Sequence, residues 1–250
     1  MIIYLAAFRS VECYYNKQTS DIYLLSSFFE HKSGKFGDYV YQDRHILDSG
    51  AFSTFKNPVR AKNLDWDTYV RNYIKFINHT DQKLFFELDI DCVIGLERVE
   101  YYRKKIEDAT GRQPIPVWHF ERKWDYFEMM CENYPYVAIG TVPVGKQGKL
   151  IRQQPLVLKK FIDTAHSKGK KIHGLGFTLT DYLKKLPFDS VDSTTWNSAG
   201  RFGSVYRFNN NGYMDMYVHP KDMRVSDYRH ANLHNLEEWI KFQKYAEKNL

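Results

Sequence analysis

The stretch from Tyr136 to Asp192 decides the fold: YVAIG at 136–140, PLVLKKFIDTAHSK at 155–168, KIHGL at 171–175, TDYLKKL at 180–186 and SVD at 190–192. The first, third and fifth pieces are short, mainly apolar runs that read as buried strands. The second and fourth repeat apolar residues three and four apart, the spacing of an amphipathic helix. Strand, helix, strand, helix, strand is the pattern of parallel βαβ units, because parallel neighbours need a long crossover.

The same alternation extends to both sides. Further strand candidates are Ile2 to Ala7, His45 to Asp48, Lys83 to Asp89, Ile115 to Trp118 and Ser204 to Phe208, with helical stretches at Trp66 to Ile77, Leu96 to Ala109, Trp124 to Asn133 and Leu236 to Lys248. Eight strands predict an α/β chain folded as a (β/α)8 TIM-like barrel, with residues 1–250 in a single domain. An open doubly wound sheet is the alternative, but no Gly-x-Gly-x-x-Gly follows any strand.

Composition narrows the class. At 250 residues and 43% hydrophobic content the chain can build one sizeable core. Its net charge of +6 favours a polyanionic partner, although lysine-rich helices would give the same balance. Cys13, Cys92 and Cys131 are isolated, so neither a disulfide framework nor a Cys-x-x-Cys zinc site is indicated, and a reducing, cytoplasmic setting is expected. The apolar opening run Met1 to Phe8 is too short for a membrane span and lacks signal-peptide features, so no membrane partner is expected.

In a barrel the chemistry lies at the carboxyl ends of the strands. Polar or small residues end nearly every run: Asp48, Asp89 and Asp91, His119, Gly140 with Thr141, His173 with Gly174, and Asp192. A lone aspartate there often only caps the next helix. Asp48 differs, because Ser49, Gly50 and Ala51 follow it and leave room for a planar ligand. Several carboxylates at one mouth suit glycosyl chemistry, in which one attacks the anomeric carbon and another handles the leaving group's proton. Backbone groups at Gly140 and Thr141 could read the edge of a heterocycle, and Phe52 and Trp196 could stack on one.

Taken in order, these motifs resemble the tRNA-guanine transglycosylase superfamily, most closely its short DNA-modifying branch, the DpdA-type 7-deazaguanine DNA transglycosylases of phages and bacteria. The family's Asp-Ser-Gly-Gly-Phe is similar to Asp48-Ser49-Gly50-Ala51-Phe52, and its Leu-Asp pair near a cysteine is similar to Leu88-Asp89-Ile90-Asp91-Cys92. Its Ile-Gly-Gly-Leu-Ala-Val-Gly-Glu turn resembles 139–146, and its His-x-Leu-Gly-x-Gly segment resembles 173–178. The nucleophile region resembles Ser190-Val191-Asp192 with Arg201 downstream. Departures are Ala51 for the second glycine, Thr195 where the tRNA enzymes carry the attacking aspartate, and the absence of the Cys-x-Cys-x-x-Cys that binds structural zinc.

The resemblance implies a DNA guanine transglycosylase that exchanges guanine for a free 7-deazaguanine base by double displacement. Asp192 would be the nucleophile and Asp48 the general acid/base. Substrate-binding roles would fall to Ser49, Gly50, Phe52, Asp89, Asp91, His119, Gly140, Thr141, His173, Gly174 and Trp196, and nucleic-acid contacts to Lys146, Lys149, Arg152, Arg201 and Arg207. No cofactor, no metal and no zinc-binding subdomain are expected. The setting would be cytoplasmic, the host's if the chain is phage-encoded. The alternatives are a tRNA-guanine transglycosylase, an unrelated barrel glycosidase, and a nucleic-acid-binding module without catalysis. A metal hydrolase is weaker still, since His230 and His234 lack a further ligand.

Overall fold

The structure, a computed structural model, describes residues 1–6, 22–31, 44–51, 63–140, 154–177, 180–198, 202–209, 211–218 and 228–250. The strands of its main sheet are β1 (Ile2–Leu5), β2 (Leu24–Ser27), β3 (His45–Asp48), β4 (Leu84–Phe85), β5 (Val117–Trp118), β6 (Tyr136–Gly140), β7 (Lys171–Leu175) and β8 (Ser190–Ser193). Helices α1 (Phe28–His31), α2 (Trp66–His79), α3 (Asp91–Ile94), α4 (Leu96–Thr110), α5 (Lys123–Asn133), α6 (Pro155–Ser167) and α7 (Thr180–Leu183) fall between them. A hairpin of β9 (Ser204–Phe208) and β10 (Met214–Val218) and the long helix α8 (Tyr228–Asn249) follow.

Local sequence explains the longer helices. Asp65 caps α2 by accepting from the Thr68 N–H at 3.0 Å. Trp66, Tyr69, Val70, Tyr73 and Ile77 then form one buried stripe along it. Pro155 opens α6 and Gly111, in the left-handed conformation, closes α4.

All eight strands are parallel, in the order β4-β3-β2-β1-β8-β7-β6-β5. The sheet is curled. In a flat sheet β4 and β7, five steps apart in this order, would be separated by roughly 24 Å at ~4.8 Å per strand. The rings of Phe86, just beyond β4, and His173 on β7 instead lie 5.2 Å apart. No full ladder joins the two terminal strands, which meet at one parallel bridge between Phe86 and Ile115. Around that bridge, Ile115 donates its N–H to Phe85 O at 2.8 Å and Glu87 donates to Ile115 O at 3.1 Å. The architecture is a curled parallel α/β sheet of the TIM-like kind.

Alternation along the strands sorts residues into two layers. Ile3, Leu5, Val137, Ile139, Ile172 and Val191 point outward into a core shared with α5, α6 and α8, while Leu47 and Phe85 meet α2 and α4. Tyr4, Ala6, Leu25, Ile46, Phe86, Val117 and Ala138 form a separate inner cluster within the curl.

Two strand expectations are corrected. Ser204–Phe208 is not in the parallel sheet; it pairs antiparallel with β10. Its other edge is bonded by side chains of α8, where Asn235 Oδ1 accepts from Tyr206 N at 2.8 Å and Glu238 Oε2 accepts from Phe208 N at 2.7 Å. The eighth parallel strand is Leu24–Ser27, whose two serines break the apolar pattern. The last helix also starts earlier than expected, at Tyr228, because buried Asn232 and Asn235 interrupt the apolar signal of its first half.

Candidate functional site

Registers carry the inner layer up to the carboxyl ends of the strands. Ser27 pairs with Asp48, Val117 with Ala138, Ala138 with His173, His173 with Ser190, and Tyr4 with Asp192. In-register neighbours and residues two apart share a face, so Ser27, Asp48, His119, Gly140 and Asp192 all belong to the inner face at one mouth.

Asp48 accepts from the backbone N–H of Gly50, which follows it in a left-handed turn with φ of +68°. A Cβ at Gly50 would lie 2.6 Å from both the N and the Cβ of Phe29 and would also strike Ser27 Oγ, so this turn requires glycine. Burial, then the nearby Asp89 carboxylate, push the Asp48 carboxyl up to about 8; the Gly50 N–H opposes this, and Asp192 and Glu30 add to it. A carboxyl raised this far keeps its proton at neutral pH. Tyr69 OH donates to Ser49 O at 2.7 Å and fixes the next residue of the turn.

Asp192 is buried at the end of β8. Its Oδ2 accepts from the Gly176 N–H at 2.6 Å and lies 3.2 Å from His173 Nε2. His173 is fully buried, with Nδ1 against Ser190 Oγ, which in turn bonds Tyr136 OH.

A second group surrounds Asp89 and His119. His119 Nδ1 lies 3.1 Å from Asp91 Oδ1, and its Nε2 lies 4.0 Å from Asp89 Oδ2. The imidazole rests on Gly140, where a Cβ would come within 2.6 Å of Nε2. Beneath them Arg122 donates NH2 to Asp91 Oδ1 at 3.0 Å and NH1 to Glu87 Oε1 at 2.7 Å. Glu87 also accepts from Arg103 Nε at 2.6 Å and from Val117 N at 2.8 Å.

Burial raises the Asp89 carboxyl, and the charge of His119 opposes it. Burial would raise Asp91 too, but its bonds to His119 and Arg122 outweigh that and hold it well below the usual carboxylate range. Burial lowers His119, yet the bond to Asp91 and the charges of Asp89 and Asp91 raise it on balance. Oδ1 of Asp89 and Oγ of Ser27 are buried without a hydrogen-bond partner among the described residues.

The residues expected to touch substrate divide accordingly. Asp48, Gly50, Asp89, Asp91, His119, Gly140 and Asp192 gather at the mouth. His173 lies beneath Asp192 with both ring nitrogens engaged. Trp196 is fully buried and donates Nε1–H to Ala6 O at 2.8 Å, so it packs rather than stacks. Ser49 is buried in its turn, and Gly174 lies beside Phe177, Phe188 and Val191, where it admits close packing on the outer face. Arg207 is exposed on the β9–β10 hairpin, outside the parallel sheet and in register with Asp215. Phe52, Thr141, Lys146, Lys149, Arg152 and Arg201 lie outside the described residues.

Sequence reasoning missed Glu87, Arg122, Ser27, Tyr136 and Ser190. The last two were reachable: stepping back by twos from Gly140 and Asp192 along their strands reaches both. Among the described residues no group of three or more His, Cys, Asp or Glu could hold a metal ion, and no helix is long and apolar enough to cross a membrane. No protein-family model and no curated protein matches the chain.

Proposed function

We propose that the chain is a base-exchange transglycosylase acting on guanine in DNA, with residues 1–250 forming one domain built on the curled TIM-like sheet. The observation that carries this reading is the pairing of two unlike carboxyl groups on one inner face. Asp48 is kept protonated by burial and by its acidic neighbours, while Asp192 has one oxygen tied down by Gly176 and His173. That is the division of labour double displacement needs.

In the first step an Asp192 oxygen attacks C1′ of the deoxyguanosine as the C1′–N9 bond breaks, and guanine leaves with the proton of Asp48. In the second, a free 7-deazaguanine gives a proton to Asp48, and its nitrogen displaces the Asp192 ester and regenerates the carboxylate. Asp89 and His119 offer an acceptor and a donor to the edge of the base. The target nucleotide has to be flipped out or single-stranded to reach them. The missing zinc cysteines favour DNA over tRNA as the polymer.

The test is incubation of the protein with guanine-containing DNA, tRNA and a labelled 7-deazaguanine, beside Asp48→Ala and Asp192→Ala, followed by nucleoside mass spectrometry. Label in DNA with wild type alone is the expected result. Label in tRNA alone would move the substrate, and label in neither would overturn the reading.

A further inference from the structure

We propose that His173 is a positioning residue: through a directed hydrogen-bond chain from Tyr136 and Ser190 it locks Oδ2 of Asp192 and leaves the second carboxylate oxygen to face the mouth. The inference rests on reading Asp192 as the attacking carboxylate.

The direction of the chain follows from counting hydrogens. A carboxylate only accepts, so His173 Nε2, 3.2 Å from Asp192 Oδ2, carries a hydrogen. In the neutral ring Nδ1 then has a lone pair and takes the hydroxyl hydrogen of Ser190. The Ser190 oxygen is thereby free to accept from Tyr136. Burial pushes the Tyr136 phenol far above its ordinary range, which keeps it a donor. Every hydrogen in the series points toward Asp192, an arrangement in which each bond polarises the next.

The packing shows that the ring is held rather than merely accommodated. His173 is fully buried, 5.2 Å from the Phe86 ring and 6.2 Å from the Tyr4 ring. These aromatics leave the imidazole little freedom to turn. A polar chain in the middle of an apolar barrel layer carries a desolvation cost that an aliphatic residue would avoid. Among the described residues its outlet is Asp192. With Gly176 N–H at 2.6 Å on the same oxygen, two donors fix the carboxylate plane.

Two measurements on the full-length protein test this. Long-range proton–nitrogen NMR of the histidine rings should show His173 as the Nε2–H tautomer; an Nδ1–H tautomer overturns the proposal, whatever the enzyme's activity. In the exchange assay His173→Leu should lower kcat about 10- to 100-fold, the worth of a lost bond to a charged group, with KM within about twofold. His173→Gln, which keeps a donor near the same place, should recover most of that loss, and Ser190→Ala should fall between. Equal losses in the Leu and Gln variants, or a rise in KM that accounts for the loss, would sink it. If His173→Leu does not fold, the Gln and Ser190→Ala variants decide the kinetic arm. A wild type that exchanges no base would end the functional reading instead, with the tautomer still decided by NMR.

Discussion

Arg122 is held between two carboxylates, Glu87 at 2.7 Å and Asp91 at 3.0 Å, with only 1% of its side chain exposed. Asp91 in turn meets His119 at 3.1 Å, so the orientation of the imidazole at the mouth depends on a guanidinium buried below it. The charge count in this cluster is close to neutral only while Arg122 is present.

Arg122→Ala should therefore be costly. Removing one partner of a buried ion pair leaves an uncompensated charge and costs about 3–5 kcal/mol. Arg103 still serves Glu87 at 2.6 Å, which places the expected loss toward the lower end, about 3 kcal/mol. Arg122→Lys should recover less than half, because an ammonium cannot span both carboxylates as the planar fork does. Urea unfolding of the three proteins measures this, and a loss below about 1 kcal/mol for the alanine variant would contradict the account.

A second buried network makes the fold acid-sensitive. His45 Nδ1 donates to Gln82 Oε1 at 2.9 Å, because the Gln82 amide hydrogens are already used on His45 O and Leu84 O. His45 Nε2 then accepts from Ser26 Oγ at 2.6 Å, and Ser26 accepts from His31 Nε2 at 2.8 Å. Burial lowers His45 to about 4 and His31 likewise to about 4. A folded-state value below the unfolded 6.5 means the unfolded chain binds more protons. Stability is then complete above pH 6.5 and lost as pH falls from there toward 4. For His45 the full loss is on the order of 3 kcal/mol. Denaturant midpoints from pH 7.5 to 4 should show this fall, and His45→Gln should flatten it.

The outline of the fold was legible because βαβ units announce themselves twice, once in the strand and again in the crossover helix. Seven of the main-sheet strands show as apolar runs in the sequence, including the two-residue ladders at Leu84–Phe85 and Val117–Trp118. Leu24–Ser27 was hidden because Ser26 faces outward to His45 and Ser27 faces the mouth, so neither face reads as apolar. Ser204–Phe208 misled for the opposite reason: Tyr206 packs 5.9 Å from Trp239, and such a strand looks the same whether a sheet or a helix covers it. At the site the aspartates were visible as strand-end residues. Arg122 was not, since an arginine three residues after His119 in a short 3-10 turn carries no sign in the sequence that it is buried.

Asp48 should give the exchange reaction an alkaline limit. With its carboxyl pushed up to about 8, the proton it donates is present below that pH and lost above it. Activity should then fall tenfold for each pH step above about 8. Asp48→Asn should abolish exchange across the range, since the amide is too weak an acid to protonate the leaving base. A rate that keeps rising to pH 9.5 would remove Asp48 from the acid role.

Gly50→Ala joins fold and chemistry in one substitution. The left-handed backbone costs a non-glycine residue about 1–2 kcal/mol before any contact is counted. The new methyl would then meet Phe29 N and Cβ at 2.6 Å. Both atoms belong to Phe29, the second residue past β2, and cannot swing aside as a flexible side-chain tip would. The turn must shift, and with it the N–H that Asp48 accepts. The expected outcome is a loss of at least 2 kcal/mol in unfolding free energy together with a reduced exchange rate. Gly169→Ala is the control, with φ of +67° and nothing within 4 Å of the added carbon. It carries the backbone penalty alone, so the difference between the two variants isolates the steric part. Equal losses would mean that the close approach of Gly50 to Phe29 is not what holds the Asp48 turn in place.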